Sequence, residues 1–144
     1  TTLYVTHDQI EALAISDYIA VMNQGRLKDV ANPRDVYFNP GTKFTADFIG
    51  LTNLIKGSLT GIHDDMVEME TSIGRLWCPC PEGARTGGAD WICIRPEEVS
   101  VTRKAVADSE NMFAGKIQKL VFLGEMLECQ ILTGQEVLRA RLHP

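Results

Sequence analysis

Apolar and polar positions follow two different periods along this chain, and the change falls near residue 50. The apolar run Leu3, Tyr4 and Val5 favours a strand. A helical period follows at once over 9–16, with Ile10, Leu13 and Ala14 on one face. Thr6 with Gln9, or Asp8 with Glu11, would satisfy the free N–H groups of that helix start in the manner of a capping box. Segment 18–22 reads as a strand, Asn23-Gln24-Gly25 as a turn, and 26–30 as the returning strand of a hairpin, with Gly25 able to take positive φ. Asn32-Pro33 starts a second helix, Asn as cap and Pro at the first helical position, and Asn39-Pro40-Gly41 stops it. A third short helix over 42–49 carries Phe44, Phe48 and Ile49 on an apolar face and ends at Gly50.

Beyond a linker at 51–53 the period becomes two. Segment 54–61 reads as a strand, His63-Asp64-Asp65 as a turn, and Val67 and Met69 face inward while Glu68 and Glu70 face out. Strand 76–78 is broken by Pro79 and Pro81, which lead into a Gly-rich loop over 81–90. Trp91-Ile92-Cys93-Ile94 is continuously apolar and is expected to be the most buried strand. A turn over 95–98 precedes Val99 and Val101, which alternate with Ser100 and Thr102, and 103–111 reads as a polar exposed loop. A long strand over 113–123, bent at Gly115, is followed by a hairpin of 126–132 and 137–142 around 133–135. Glu128 and Gln130 on one arm and Arg139 and Arg141 on the other alternate outward, so opposite charges can pair, worth at most about 1 kcal/mol if exposed. Short strands at this spacing predict a small barrel or sandwich, and the whole chain an α+β fold.

Composition narrows the classes. The 144 residues suit one ordinary domain or two small ones, and 44% hydrophobic with 23% charged residues is a globular balance. No apolar run is long enough to span a bilayer. A net charge of −5 argues against a general nucleic-acid binder, which presents a basic face. The four cysteines are Cys78, Cys80, Cys93 and Cys129, and C-x-C with distant single partners is poor zinc spacing, so reduced, partly buried thiols and no metal are expected.

His7 is the first candidate for chemistry, because it stands where a strand hands over to a helix. In open α/β sheets that is where ligands bind, and an imidazole there can donate a hydrogen bond to an anion beside the partial positive charge of the helix start. A lone histidine in such a place is more often a surface or capping residue.

The residues around it carry a resemblance. Thr6-His7-Asp8-Gln9-x-Glu11-Ala12, then Ser16-Asp17-x-Ile19-x-Val21-Met22-x-x-Gly25-Arg26, resembles the switch-histidine region of ABC transporter ATP-binding subunits. Pro33-Arg34-Asp35-Val36-Tyr37-x-x-Pro40, Phe44-x-Ala46-x-Phe48-Ile49-Gly50 and Asn53 continue it, similar to the end of the ATPase domain in bacterial importers of the maltose, polyamine, sulfate and iron(III) types. Ile94-Arg95-Pro96-Glu97-x-Val99 followed by Gly115-x-Ile117-x-x-x-Val121-Phe122-x-Gly124 resembles the TOBE regulatory domain, an OB-like β-barrel. The resemblance implies a remnant of a P-loop ATPase α/β domain over 1–50, a linker over 51–53 and a TOBE-like β-domain over 54–144. The pattern opens inside a strand without Met, and further strands are expected after Pro144, so the chain reads as the C-terminal part of a longer subunit.

The resemblance also implies that His7 contacts the γ-phosphate of ATP in the intact protein and helps to position the attacking water. Its ATP and Mg belong to that intact protein, and none is expected for the fragment, which contains no G-x-x-x-x-G-K-[ST] loop, signature motif or magnesium-site acid and should not hydrolyse ATP alone. Implied partners are a second copy in a homodimer, the transporter membrane subunits and, indirectly, a solute-binding protein, with no nucleic acid; the implied place is the cytoplasmic face of the inner membrane. A second reading is a small-molecule or oxyanion-binding regulatory module, supported by Arg95 and the Gly-rich loop. A third, an OB-type nucleic-acid binder, rests on Trp77 and Trp91, which their apolar strand neighbours place in the core instead. His63 and His143 read as solvated.

Overall fold

The computed structural model describes residues 1–81, 83–104 and 110–144. The chain forms two compact units, Thr1–Thr52 and Asn53–Pro144, and mixes helices with antiparallel sheets.

The first unit runs α1 (Gln9–Ile15), β1 (Ile19–Asn23), β2 (Arg26–Ala31), α2 (Pro33–Phe38) and α3 (Lys43–Phe48). Its core is Ile19, Val21, Val36 and Ile49, with Ala12, Leu13, Ala31, Tyr37 and Phe44 packed around them. The β1–β2 hairpin turns through two consecutive left-handed residues, Gln24 at φ 50° and Gly25 at φ 72°, whose twist matches that of the flanking strands. Asn32 caps α2 by accepting from the Asp35 N–H at 2.9 Å, and Thr42 caps α3 by accepting from the Thr45 N–H at 3.0 Å. These elements match the hydrophobic pattern.

Two expectations fail here. Leu3, Tyr4 and Val5 form no strand and stand exposed, because a strand must pair its N–H and C=O groups and no described segment supplies a neighbour. The buried side of α1 is Ala12 and Leu13; Ile10 is 80% exposed and Ala14 is exposed as well.

In the second unit, β3 (Asn53–His63), β4 (Met66–Thr71), β5 (Gly74–Pro79) and β6 (Ala89–Ile94) form a sheet of order β5-β4-β3-β6. Strands β7 (Lys116–Phe122), β8 (Leu127–Thr133) and β9 (Glu136–Leu142) form a second sheet in chain order, and every pairing is antiparallel. Ile55, Leu59, Val67, Met69 and Leu76 make the larger core, which Phe113 and Leu138 help to cover. Cys129, Ile131 and Ala140 make a smaller one, with Val99 and Leu142 against it. Val67 and Met69 are buried as the alternation predicts.

Several details differ from the pattern. Strand β3 begins at Asn53, inside the expected linker. Strand β6 is not the most buried: it lies at a sheet edge and Trp91 is 41% exposed, whereas Ile55 on the interior strand β3 is 1% exposed. Trp91 pairs with Lys56 and Trp77 with Glu68, so both tryptophans lie on the sheet face away from Ile55, Val67 and Leu76. Residues 99–102 form no strand, and Val101 is exposed. Glu128 stands opposite Arg141 in register, yet no ion pair joins them among the described residues, and the Arg141 Nε is buried without a hydrogen-bond partner. The Gly-rich and polar loops expected at 81–90 and 103–111 lie partly outside the described residues. Among the described residues no helix is long and apolar enough to cross a membrane.

Candidate functional site

The backbone on both sides of His7 is held by short polar contacts. The Thr6 Oγ1 accepts from the Asp8 N–H at 3.0 Å and donates to the Glu11 Oε2 at 3.0 Å. The Asp8 Oδ1 accepts from the Ile10 N–H at 2.9 Å and the Glu11 N–H at 3.1 Å, which makes Asp8 the cap of α1. Of the two pairings foreseen from sequence, Asp8 with Glu11 is present, since Asp8 accepts the Glu11 N–H, whereas Thr6 reaches Glu11 in place of Gln9. His7 itself is exposed between these two anchored residues. A third contact leaves the loop, where the Gln9 Oε1 accepts from the Gly50 N–H at 2.9 Å.

This geometry alters the expected electrostatics. Helix α1 has seven residues, and Asp8 already occupies two of its free N–H groups with a carboxylate. The helix start is therefore no open anion cradle. Glu11 also acts on Tyr4: its carboxylate, as hydrogen-bond partner and then as a charge, pushes the exposed phenol above its ordinary pKa.

The other candidates divide. Arg95 is 1% exposed, and its backbone N–H donates to the Glu98 Oε2 at 2.9 Å at the start of the 3-10 turn Pro96–Glu98. It is folded into the unit and is not presented to a solvent anion. His63 is exposed, as expected, but not isolated: its ring lies 5.2 Å from that of Trp77, and its Nε2 is 3.9 Å from Glu68, which also holds the Arg75 Nε at 2.9 Å. His143 is exposed. All four cysteines are free thiols, and burial pushes the Cys78 and Cys129 thiols up. Among the described residues no group of three or more His, Cys, Asp or Glu converges on a point. A shallow cleft of about 300 Å³, lined by Lys56, Ser58, Glu70 and Glu136 among others, opens at the side of β3 and β4. Gln9 is the residue that sequence reasoning undervalued. The sequence offers it only as a capping partner, since a contact across 41 positions leaves no local signal.

No protein-family model matches the chain. Among curated proteins it is similar to the spermidine/putrescine import ATP-binding protein PotA of Thermotoga maritima, at 37% identity over 127 residues, 86% of this chain and 34% of that protein. The protein of the same name from Rubrobacter xylanophilus is 40% identical over 127 residues, 86% of this chain and 33% of that protein. Its counterpart from Chromobacterium violaceum is 32% identical over 146 aligned positions, 100% of this chain and 40% of that protein. The chain thus spans about a third of the length of the curated relatives it matches.

Proposed function

We propose that this chain belongs with the ATP-binding subunits of bacterial ABC importers, and that it supplies the switch-histidine end of the ATPase domain over 1–50 and a TOBE-like regulatory β-domain over 54–144. The observation that carries the reading is the loop geometry. Thr6 and Asp8 pin the backbone on either side of an exposed imidazole, which is the arrangement needed to bring His7 against a ligand that arrives from elsewhere in the subunit. In the intact subunit His7 contacts the γ-phosphate of ATP and orients the attacking water. Positioning and charge stabilisation of this kind make up most of phosphoryl-transfer catalysis. The phosphate-cradling loop and the acid that holds Mg come from the preceding part of the subunit, so the 144-residue chain alone does not turn over ATP.

The antiparallel sheets of Asn53–Pro144 support the β-domain reading, with an OB-like barrel completed in the full subunit. The subunit works as a homodimer on the cytoplasmic face of the inner membrane, bound to the transporter membrane subunits and served by a solute-binding protein, without nucleic acid. Polyamines are the cargo to test first, because the relatives named above are spermidine/putrescine import ATP-binding proteins. Proteoliposomes that carry the full-length subunit and its membrane partners should take up labelled spermidine only with ATP inside the cytoplasmic-side compartment. ATP-independent uptake, or no hydrolysis with polyamine, maltose, sulfate or iron(III) systems, would overturn the proposal.

A further inference from the structure

Helix α1 buries none of its residues completely, so what holds its first turn decides where the His7 loop stands. Its apolar anchors, Ala12 and Leu13, begin four positions beyond Asp8. At the near end the anchor is polar: the Gln9 Oε1 accepts from the Gly50 N–H at 2.9 Å. Gly50 is itself well fixed. It follows Ile49, which is 3% exposed, it takes φ +75°, and a Cβ there would come within 3.0 Å of the Tyr37 ring. It also lies two residues before the end of the first unit at Thr52.

We propose that Gln9 is a positioning residue for His7: by accepting the Gly50 N–H it fastens the first turn of α1, and with it the His7 loop, to the point where the chain leaves the first unit. This rests on the reading of His7 as the phosphate-contacting residue. Gln9 does not touch the nucleotide; it sets where the imidazole sits, and it makes that placement depend on how the backbone at Gly50 is held. Near-attack geometry is steep in distance, so a loop released by a single bond loses rate more than affinity. An ordinary helix contact predicts a different outcome, a loss of stability shared by every measured property.

The test uses the full-length subunit for turnover and the 144-residue chain for amide exchange, with Gln9→Ala, Gln9→Glu and His7→Ala. In Gln9→Ala, kcat for ATP should fall about tenfold or more with KM unchanged. The Gly50 amide should then exchange faster, and the Thr6–Asp8 amides should shift. Gln9→Glu keeps an acceptor at a helix position that favours negative charge, and it should restore both kcat and Gly50 protection. Wild-type kcat in Gln9→Ala with the Gly50 amide released, while His7→Ala abolishes turnover, overturns the positioning role alone. Wild-type turnover in His7→Ala overturns the underlying reading of His7. A Gln9→Ala loss that Gln9→Glu does not repair also overturns the inference, since the acceptor would then be irrelevant.

Discussion

The Asn53 carboxamide bonds the Arg139 backbone in both directions, its Nδ2 donating to the Arg139 carbonyl at 2.9 Å and its Oδ1 accepting from the Arg139 N–H at 2.7 Å. One side chain, 6% exposed, thus does the work of a strand neighbour and ties the start of β3 to β9. Its loss leaves the Arg139 N–H and carbonyl unpaired beside a buried position. Asn53→Ala should cost about 2–4 kcal/mol, visible as a lower urea midpoint. A change below about 0.5 kcal/mol would show that water replaces the carboxamide freely.

Gly115 precedes β7 at a point with no room for a side chain. A Cβ there would lie 2.5 Å from the Ile131 Cγ2 and 2.9 Å from the Thr133 Oγ1. Gly115→Ala should destabilise by about 1–3 kcal/mol through forced displacement of β8. Gly88, whose hypothetical Cβ meets nothing nearer than 3.8 Å, is the control and should tolerate Ala within about 0.5 kcal/mol. Equal effects at the two sites would contradict the packing seen around Ile131.

Burial pushes the Cys129 and Cys78 thiols above the ordinary value of 9.0. A raised folded-state pKa means that the folded protein holds the proton more tightly. The stabilisation is therefore complete below the unfolded thiol pKa and is lost as pH rises through the folded one. Stability should be flat for these groups near neutrality and decline above about pH 9, with a shallower alkaline slope in Cys129→Ala. Alkylation at pH 8 should spare Cys129, which is 0% exposed, until the protein unfolds. Rapid labelling of Cys129 in the native protein would show that the smaller core of the second unit opens freely.

Leu3, Val5 and Ile10 are 90%, 87% and 80% exposed, beside a segment whose backbone has no strand partner among the described residues. Such surface promotes association. Light scattering of the 144-residue chain should show a mass that grows with concentration, and Val5→Glu should reduce it. A strictly monomeric chain at all concentrations would contradict this.

Local signals were the legible ones. Asn32-Pro33, the Asn23-Gln24-Gly25 turn and the Val67/Met69 alternation each act within a few residues, and the structure matches them. The failures concern neighbours distant in the chain. The run from Trp91 to Ile94 looks like core, but its position at a sheet edge leaves Trp91 in solvent. The run from Leu3 to Val5 looks like a strand, but strand formation depends on a partner that propensity does not encode. At the candidate site, His7 and its flanking cap were legible from the Thr6-His7-Asp8 pattern, whereas the Gln9–Gly50 bond was not, because only the folded unit brings those two positions together.

ATP turnover by the full-length subunit carrying His7→Ala, with ATP affinity measured alongside, tests the central claim most directly. The account predicts a loss of about a hundredfold or more in kcat with ATP binding retained, as for removal of a group that acts on the transition state. Turnover close to wild type would contradict it.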